Sequence, residues 1–247
     1  MAQQLKWHLG TVVEVRRETP SVKSLILDLP EWTGHIAGQR VDVRLTAEDG
    51  YQAQRSYSIA SPPEDEHLML TVERLEDGEV SPYLTDVLQV GDQLELRGPI
   101  GGYFVWDARD PKNSGSPLFL IAGGSGIVPL MAMIRHRARA GRKVPATLLY
   151  SSRTFQDIIY REELDHLAED DSALRVMHTL TRQQPENWSG YARRIDKAML
   201  KDIAFLPEEH PLIFACGPTA LIESAATFLQ EIGYPAGSIR TERFGPS

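Results

Sequence analysis

The sequence predicts two architectures in tandem, β followed by α/β: an antiparallel β-barrel over residues 1–107, then an α/β unit built on a parallel sheet over residues 112–247. Three observations carry this. In the first hundred residues, β-branched and aromatic runs are interrupted by Gly or Pro about every ten positions, the rhythm of short strands and tight turns. Residues 107–117 (DARDPKNSGSP) are polar and turn-rich, as a linker should be. Beyond them, short apolar runs alternate with helical periods, which calls for a parallel sheet with helices on both faces.

In order along the chain, residues 7–16 and 22–29 alternate in polarity, residues 39–45 (QRVDVRL) alternate strictly, and residues 68–75 and 93–97 continue the pattern. Closing these strands into a barrel would leave few exposed edges. Pro99, Gly101 and Gly102 end the rhythm. The second half opens with LFLIA at 118–122, a glycine-rich turn and a helical stretch over 129–140. Residues 146–150, 174–180 and 212–215 read as further buried strands, with helices expected near 160–169, 193–203 and 219–232.

Composition removes several classes of function. Lys and Arg total 26 against 34 Asp and Glu, a formal charge of −8, which argues against a nucleic-acid surface built on a general positive field. The single cysteine, Cys216, excludes an internal disulfide framework, a four-Cys zinc site and an iron–sulfur cluster held by this chain's own thiolates. The seven histidines show no metal-ligand spacing, so no protein metal site is expected. Met1–Lys6 lacks a basic stretch leading into an apolar core, and no run approaches the ~18–20 apolar residues that span a bilayer. The expectation is a cytoplasmic protein without membrane contact.

Three segments carry chemistry. Ala122-Gly123-Gly124-Ser125-Gly126-Ile127-Val128-Pro129 lies between an apolar strand and a helix, where glycines let the backbone approach a ligand and the helix start offers unpaired N–H groups to a phosphate. A tight structural connection fits the same residues, and the G-x-G-x-x-G fingerprint is not satisfied. Phe214-Ala215-Cys216-Gly217-Pro218 is a second strand-to-helix turn, and two such turns can face one crevice. In Arg55-Ser56-Tyr57-Ser58-Ile59-Ala60-Ser61 the strand alternation projects Arg55 and Tyr57 together, so a fixed cation and a planar ring share a face. An edge strand with a solvated Arg and a half-buried Tyr is the plainer account of that heptapeptide.

Taken together and in this order, the segments resemble the ferredoxin–NADP reductase family along essentially the whole chain. The family's flavin motif R-x-Y-S is matched at Arg55, Tyr57 and Ser58, and its pyrophosphate loop G-x-x-S-x-x-L at Gly78, Ser81 and Leu84. Its G-P-x-G turn is matched at Gly98, Pro99 and Gly101, its G-G-T/S-G-I-x-P at Gly123 to Pro129, and its C-G-P at Cys216 to Pro218. Glu242-Arg243-Phe244 resembles the E-x-Y ending of plant-type members with Phe for Tyr, although Gly245-Pro246-Ser247 follow it here.

The resemblance implies a six-stranded Greek-key barrel that binds FAD, followed by an NAD(P)-binding domain. It implies that Arg55 pairs with a flavin phosphate, that Tyr57 lies against the isoalloxazine, and that Ser58, beside Ser56 in the same cofactor-binding stretch, approaches the flavin N5 edge. Gly78, Val80 and Ser81 would wrap the pyrophosphate and favour FAD over FMN; a hairpin turn is the structural alternative, since Asp77-Gly78 is itself a hairpin signal. Gly124, Ser125, Gly126 and Ile127 would hold the nicotinamide cofactor's phosphates, with Cys216, Gly217 and Pro218 beside the nicotinamide. Catalysis would be hydride transfer from nicotinamide to flavin, assigned to Ser58, Cys216, Glu242 and Phe244 as groups at the reacting rings, with Glu242 closing the pocket and Phe244 covering the flavin face.

Arg153, Thr181 and Arg182 follow successive strands and resemble the family's residues for the 2'-phosphate, which leans toward NADPH with NADH as the alternative. Arg161 is a weaker third cation, and Asp157 is the opposing carboxylate. The basic run Arg135-His136-Arg137-Ala138-Arg139 with Arg142 and Lys143 is expected to face solvent at a helix C-terminus, with docking of an acidic carrier as the rival account. Trp188, Tyr191 and Trp32 are expected to anchor loops. The functional expectation is a monomeric FAD-dependent NAD(P)H oxidoreductase that passes single electrons to a separate ferredoxin, flavodoxin or oxygenase component. A reductase of free flavin or another small acceptor is the enzymatic alternative, and a non-catalytic flavin-binding subunit the alternative of another class.

Overall fold

A six-stranded antiparallel sheet leads into a five-stranded parallel sheet in the computed structural model, which describes residues 6–113, 115–141 and 143–245. The first sheet contains β1 (Trp7–Thr19), β2 (Val22–Asp28), β3 (Arg40–Thr46), β4 (Gln52–Ser58), β5 (Leu68–Glu73) and β6 (Gln93–Ile100), in the order β4-β3-β6-β1-β2-β5. Its two ends meet where Ile59 and Leu70 form an antiparallel bridge and the Ala60 N–H donates to the Met69 carbonyl at 2.8 Å. The barrel is therefore closed just past the end of β4, as the alternating strands predict. Inward positions such as Val41, Val43, Leu70, Val72, Leu94 and Leu96 fill its interior.

The second sheet contains β7 (Leu118–Gly123), β8 (Ala146–Ser152), β9 (Leu174–Leu180), β10 (Leu212–Pro218) and β11 (Ile239–Phe244), all parallel, in the order β11-β10-β7-β8-β9. Strand order reverses between β7 and β10, so a crevice opens outside the carboxyl ends of these two strands. Alternation divides their side chains between two cores. Leu118, Leu120 and Ala122 pack with α1 (Ile127–Arg139), whereas Phe119 and Ile121 pack with α3 (Lys197–Ile203) and α4 (Thr219–Glu231). The fourth helix, α2 (Arg161–Asp170), contributes Leu164 to the first of these cores.

Two boundaries differ from expectation for local reasons. The helix expected over 193–203 starts only at Lys197, because the Asp196 side chain caps it by accepting from the Met199 N–H at 2.7 Å. β11 has no strong sequence signal, since it is a sheet edge in which only Ile239 is buried.

The expectation for the basic run is corrected for its first three members, while Arg139 and Lys143 are exposed as expected. Arg135, His136 and Arg137 are 7%, 0% and 1% exposed, so they neither face solvent nor offer a docking surface. Every residue of α1 from Ile127 to Arg137 is buried, because the helix is wedged between the parallel sheet and the barrel, and an apolar all-round helix such as PLMAMI seeks that position. Val22, Ala37 and Ala60 of the barrel half belong to the same core as α1, Phe104 and Trp106. Each of these buried polar side chains has partners: Arg137 pairs with Asp171 at 2.6 Å, and His136 contacts Glu64 at 2.8 Å and Asp107 at 3.0 Å and accepts from the Ala108 N–H at 3.0 Å. Arg139 pairs with Asp65. Arg142 lies outside the described residues, as do Met1–Leu5, Pro246 and Ser247.

Candidate active site

The end of β4 supplies the first wall of the crevice. Arg55 is exposed on this strand and pairs through its guanidinium with Glu79 at 2.6 Å, while the Tyr51 hydroxyl donates to the other oxygen of Glu79 at 2.9 Å. Arg55 therefore reaches the 78–81 turn, which lies far along the chain and is brought alongside by folding. Tyr57 packs against the barrel core, and burial pushes its hydroxyl pKa up to about 12. Ser58 is half-buried at the strand end. Ser56 points to the opposite face, where its hydroxyl donates to Asp42 at 2.6 Å, and Asp42 is paired with Arg97. Only the backbone of Ser56 is left for the face that carries Arg55.

The 78–81 turn is tight. A Cβ on Gly78 would lie 2.7 Å from the Ser81 hydroxyl and 3.1 Å from the Leu75 carbonyl. Val80 is buried in the barrel core, and the Ser81 hydroxyl faces inward to accept from the Leu75 N–H at 3.0 Å. Both side chains hold the turn rather than face a ligand. What this segment can offer a phosphate is backbone N–H, since the amides opening a helical turn lack an acceptor one turn earlier. A guanidinium fork beside such a turn is the donor set that a pyrophosphate requires, so the residues present fit FAD.

The second wall comes from the two strand-to-helix turns at the carboxyl ends of β7 and β10. They touch backbone to backbone. A Cβ on Gly126 would fall inside the Cys216 carbonyl and 2.7 Å from the Gly217 nitrogen. Gly124 has φ of +54° with open space where a side chain would stand, a conformation that glycine adopts without strain. Gly126 is buried, and Gly124 and Ser125 are half-buried at the start of α1, beside Ile127, whose side chain is in the core. N–H groups at this helix start are suited to an anion, so the turn fits the phosphates of a nicotinamide dinucleotide.

Cys216 is 3% exposed, and burial pushes its thiol pKa far above the ordinary range, with the neighbouring Glu242 charge adding to the effect. It is a neutral packing group, not a thiolate. Glu242 is its direct register partner on β11. Burial raises the Glu242 pKa, with Arg40 opposing that shift, and the Arg40 guanidinium stands 3.7 Å from the Glu242 carboxylate. Arg40 is in turn the register partner of Ser58. Two strand registers and one ion pair thus connect Ser58 of the first half to Cys216 of the second. Phe244 pairs with Pro218 at the strand end and is 39% exposed.

Arg153 and Arg182 follow the ends of β8 and β9, and the Arg182 N–H donates to the Arg153 carbonyl at 2.9 Å. Both side chains are exposed, and neither has a carboxylate partner among the described residues. Thr181 is half-buried and its hydroxyl donates to the Ser152 carbonyl at 3.2 Å. The residues that follow these arginines line a small pocket of about 110 Å³, formed by Phe155, Gln156, Gln183, Gln184 and Pro185. Arg161 lies 4.4 Å over the Phe155 ring, and Asp157 caps its own turn through Thr154.

Three residues of the site carry no motif signal: Arg40, Glu79 and Tyr51. Arg40 lies within a strictly alternating strand, and nothing in its neighbourhood points to Glu242 two hundred residues away. Among the described residues no helix is long and apolar enough to cross a membrane.

Both halves of the chain resemble known domain families. Residues 10–105 match the oxidoreductase FAD-binding domain family and residues 120–227 the oxidoreductase NAD-binding domain family. The chain is 32% identical to ferredoxin–NADP reductase B of Sorangium cellulosum, over 94% of this chain and 96% of that one. It is 34% identical to the glycine betaine monooxygenase reductase subunit of Pseudomonas aeruginosa over 97% of this chain, which spans 65% of that relative's length. Among solved structures, the Amycolatopsis cytochrome P450 reductase superposes with a TM-score of 0.84 at 26% identity, covering all of this chain and 72% of that one.

Proposed function

The chain belongs to the ferredoxin–NADP reductase-type family of FAD- and NAD(P)-binding flavoprotein reductases, and from that premise we propose that it takes hydride from NADPH, or NADH, and hands single electrons to a separate carrier protein. The carrier is a ferredoxin, a flavodoxin or an oxygenase component; reductase subunits of oxygenase systems among its relatives support this choice. We assign the chain to the cytoplasm as a monomer, with residues 1–107 as the flavin-binding unit and residues 112–247 as the nucleotide-binding unit.

The carrying observation is the Arg40–Glu242 contact of 3.7 Å, because it ties the strand pair ending at Ser58 to the strand pair containing Cys216. A flavin held on the first wall and a nicotinamide held on the second would meet there. When bound, FAD supplies the chemistry that accepts a hydride and releases electrons singly. The protein supplies position and field. Arg55 and the backbone amides of Val80 and Ser81 hold the flavin's phosphates, at the close approach that Gly78 permits, while the Gly78 N–H itself donates to the Leu75 carbonyl at 3.0 Å; Tyr57 presents its ring to the flavin. Ser58 offers a hydroxyl and an N–H at the flavin edge. Gly124, Ser125, Gly126 and Ile127 bind the nucleotide's phosphates, while Arg153, Thr181 and Arg182 meet the adenosine end and select the 2'-phosphate. Cys216, Gly217 and Pro218 pack against the nicotinamide, Glu242 closes the pocket, and Phe244 shields the flavin face from water.

The test is direct. Purified protein should be yellow and, under anaerobic conditions, NADPH should bleach it faster than NADH. A screen of one-electron carriers should then find one that restores the colour. A colourless protein that does not take up added FAD would overturn the reading.

A further inference from the structure

The seam between the two halves contains a cation that the site description does not use. Arg135 of α1 is 7% exposed and reaches across that seam through Nη1. Its Nη1 donates to the Ala60 carbonyl at 2.7 Å, and its Nε and Nη2 form a two-pronged pair with Glu163 of α2 at 2.7 and 2.6 Å. Its guanidinium lies 4.6 Å over the Tyr160 ring, and the Tyr160 hydroxyl bonds to Thr71 on β5. Thr71 in turn shares a 2.8 Å hydrogen bond with Ser24 on β2. One guanidinium therefore links α1 and α2 to the barrel at the point where the barrel closes.

One end of this linkage lies near the flavin-edge segment and the other leads along α1 to the nucleotide-binding turn. Ala60 is two residues beyond Ser58, and its own N–H makes the closing bond to Met69. At the other end, α1 begins at the Gly124–Gly126 turn, and Arg135 lies eight positions after Ile127, a rigid strut of about 12 Å. A buried ion pair contributes little net stability compared with apolar residues of the same volume, and its best attested use is to fix register.

We propose that Arg135 is a positioning residue for hydride transfer, one that fixes the nucleotide-binding turn at the head of α1 against the flavin-edge segment Ser58–Ala60. The inference rests on the functional reading above. Hydride transfer is steeply sensitive to donor–acceptor placement, and a misplacement of about 1 Å costs up to a hundredfold. A residue acting only through placement should affect the rate at saturation and leave affinity alone.

The experiment compares Arg135→Met and Arg135→Lys with the wild-type holoprotein. Methionine keeps the volume and leaves Glu163, 39% exposed, to water; lysine keeps the charge and loses the fork. Expected results are unchanged FAD content, nucleotide Kd within about twofold, and a flavin reduction rate at saturating NADPH roughly tenfold lower or more in both variants. The flavin–nicotinamide charge-transfer absorbance should weaken in parallel, and hydrogen exchange in the FAD-free protein should quicken at residues 58–71 and at the head of α1. An unchanged saturating rate and charge-transfer band with only a lower Tm would make Arg135 merely structural and overturn the proposal. Should Arg135→Met not fold, the lysine variant decides alone by the same readouts. Wild-type protein that neither nucleotide bleaches would overturn the functional reading and this inference together; variants that bleach as fast as wild type overturn the inference alone.

Discussion

The α-carbon of Gly126 faces the carbonyl of Cys216 so closely that no side chain fits between them. The two turns that build the nucleotide wall are thereby locked to one another by backbone contact, and neither can be repositioned alone. Gly126→Ala should destabilise the fold by about 1–3 kcal/mol, the usual cost of forcing extra volume into a packed site. It should also slow flavin reduction by NADPH, because relief of the clash moves the Cys216 turn. Thermal unfolding and stopped-flow reduction check this together, and an alanine variant with wild-type Tm and rate would show that the turns are not locked.

Arg55→Ala should lose FAD while keeping its fold. The Arg55–Glu79 pair is half exposed on both sides, and such pairs add little to stability. Its removal should leave the Tm of the FAD-free protein essentially unchanged and raise the Kd for FAD roughly tenfold or more, the scale of one charge-assisted phosphate contact. Titration of the apoprotein by flavin fluorescence measures it, and undiminished affinity would remove Arg55 from the phosphate site.

Arg182→Ala should discriminate between the nicotinamide cofactors. A guanidinium with no carboxylate partner among the described residues has its strongest interaction available for a dianionic 2'-phosphate, which NADH lacks. The KM for NADPH should rise roughly tenfold or more and that for NADH by less than about twofold. Equal losses for both would mean that Arg182 contacts something common to the two molecules.

Glu242→Gln should stabilise the protein at neutral pH and not at low pH. Burial raises the folded-state pKa of Glu242, so the folded chain holds this proton to higher pH than the unfolded chain does, and stability from this group falls as pH rises through that range. At pH 7 the wild type bears the cost of the buried charge and glutamine does not. Below pH ~4 the wild-type carboxyl is itself protonated and the difference vanishes. A Tm series for both proteins from pH 3.5 to 8 tests the sign. A variant less stable than wild type at pH 7 would show that the Arg40 contact outweighs burial.

Much of the fold is legible in residue patterns because two periods, two and 3.6, change at the 107–117 stretch. The closing bridge Ile59–Leu70 and the strand order in either sheet are not, since they depend on which strands pair and not on what each strand contains. The motif residues locate both walls of the crevice, yet the roles of their side chains need the fold. Ser56 turns to Asp42, and Ser81 and Val80 turn into the barrel, facts of register that spacing alone does not reveal. The clearest failure is Arg135-His136-Arg137. Three basic residues ending a helix read as solvated, because their partners Glu64, Asp107, Glu163 and Asp171 are scattered along the chain and nothing in the helix itself says that a barrel lies on its far side.

That burial of α1 from both directions limits how such a protein can be rebuilt. A helix sandwiched in this way gives the halves a common interior, with Val22, Ala37 and Ala60 contributed by one and Met131, Met133 and Ile134 by the other. Chimeras that graft a foreign nucleotide half onto this flavin half would have to import a matching helix face, cations included, or expose an oily scar along the graft.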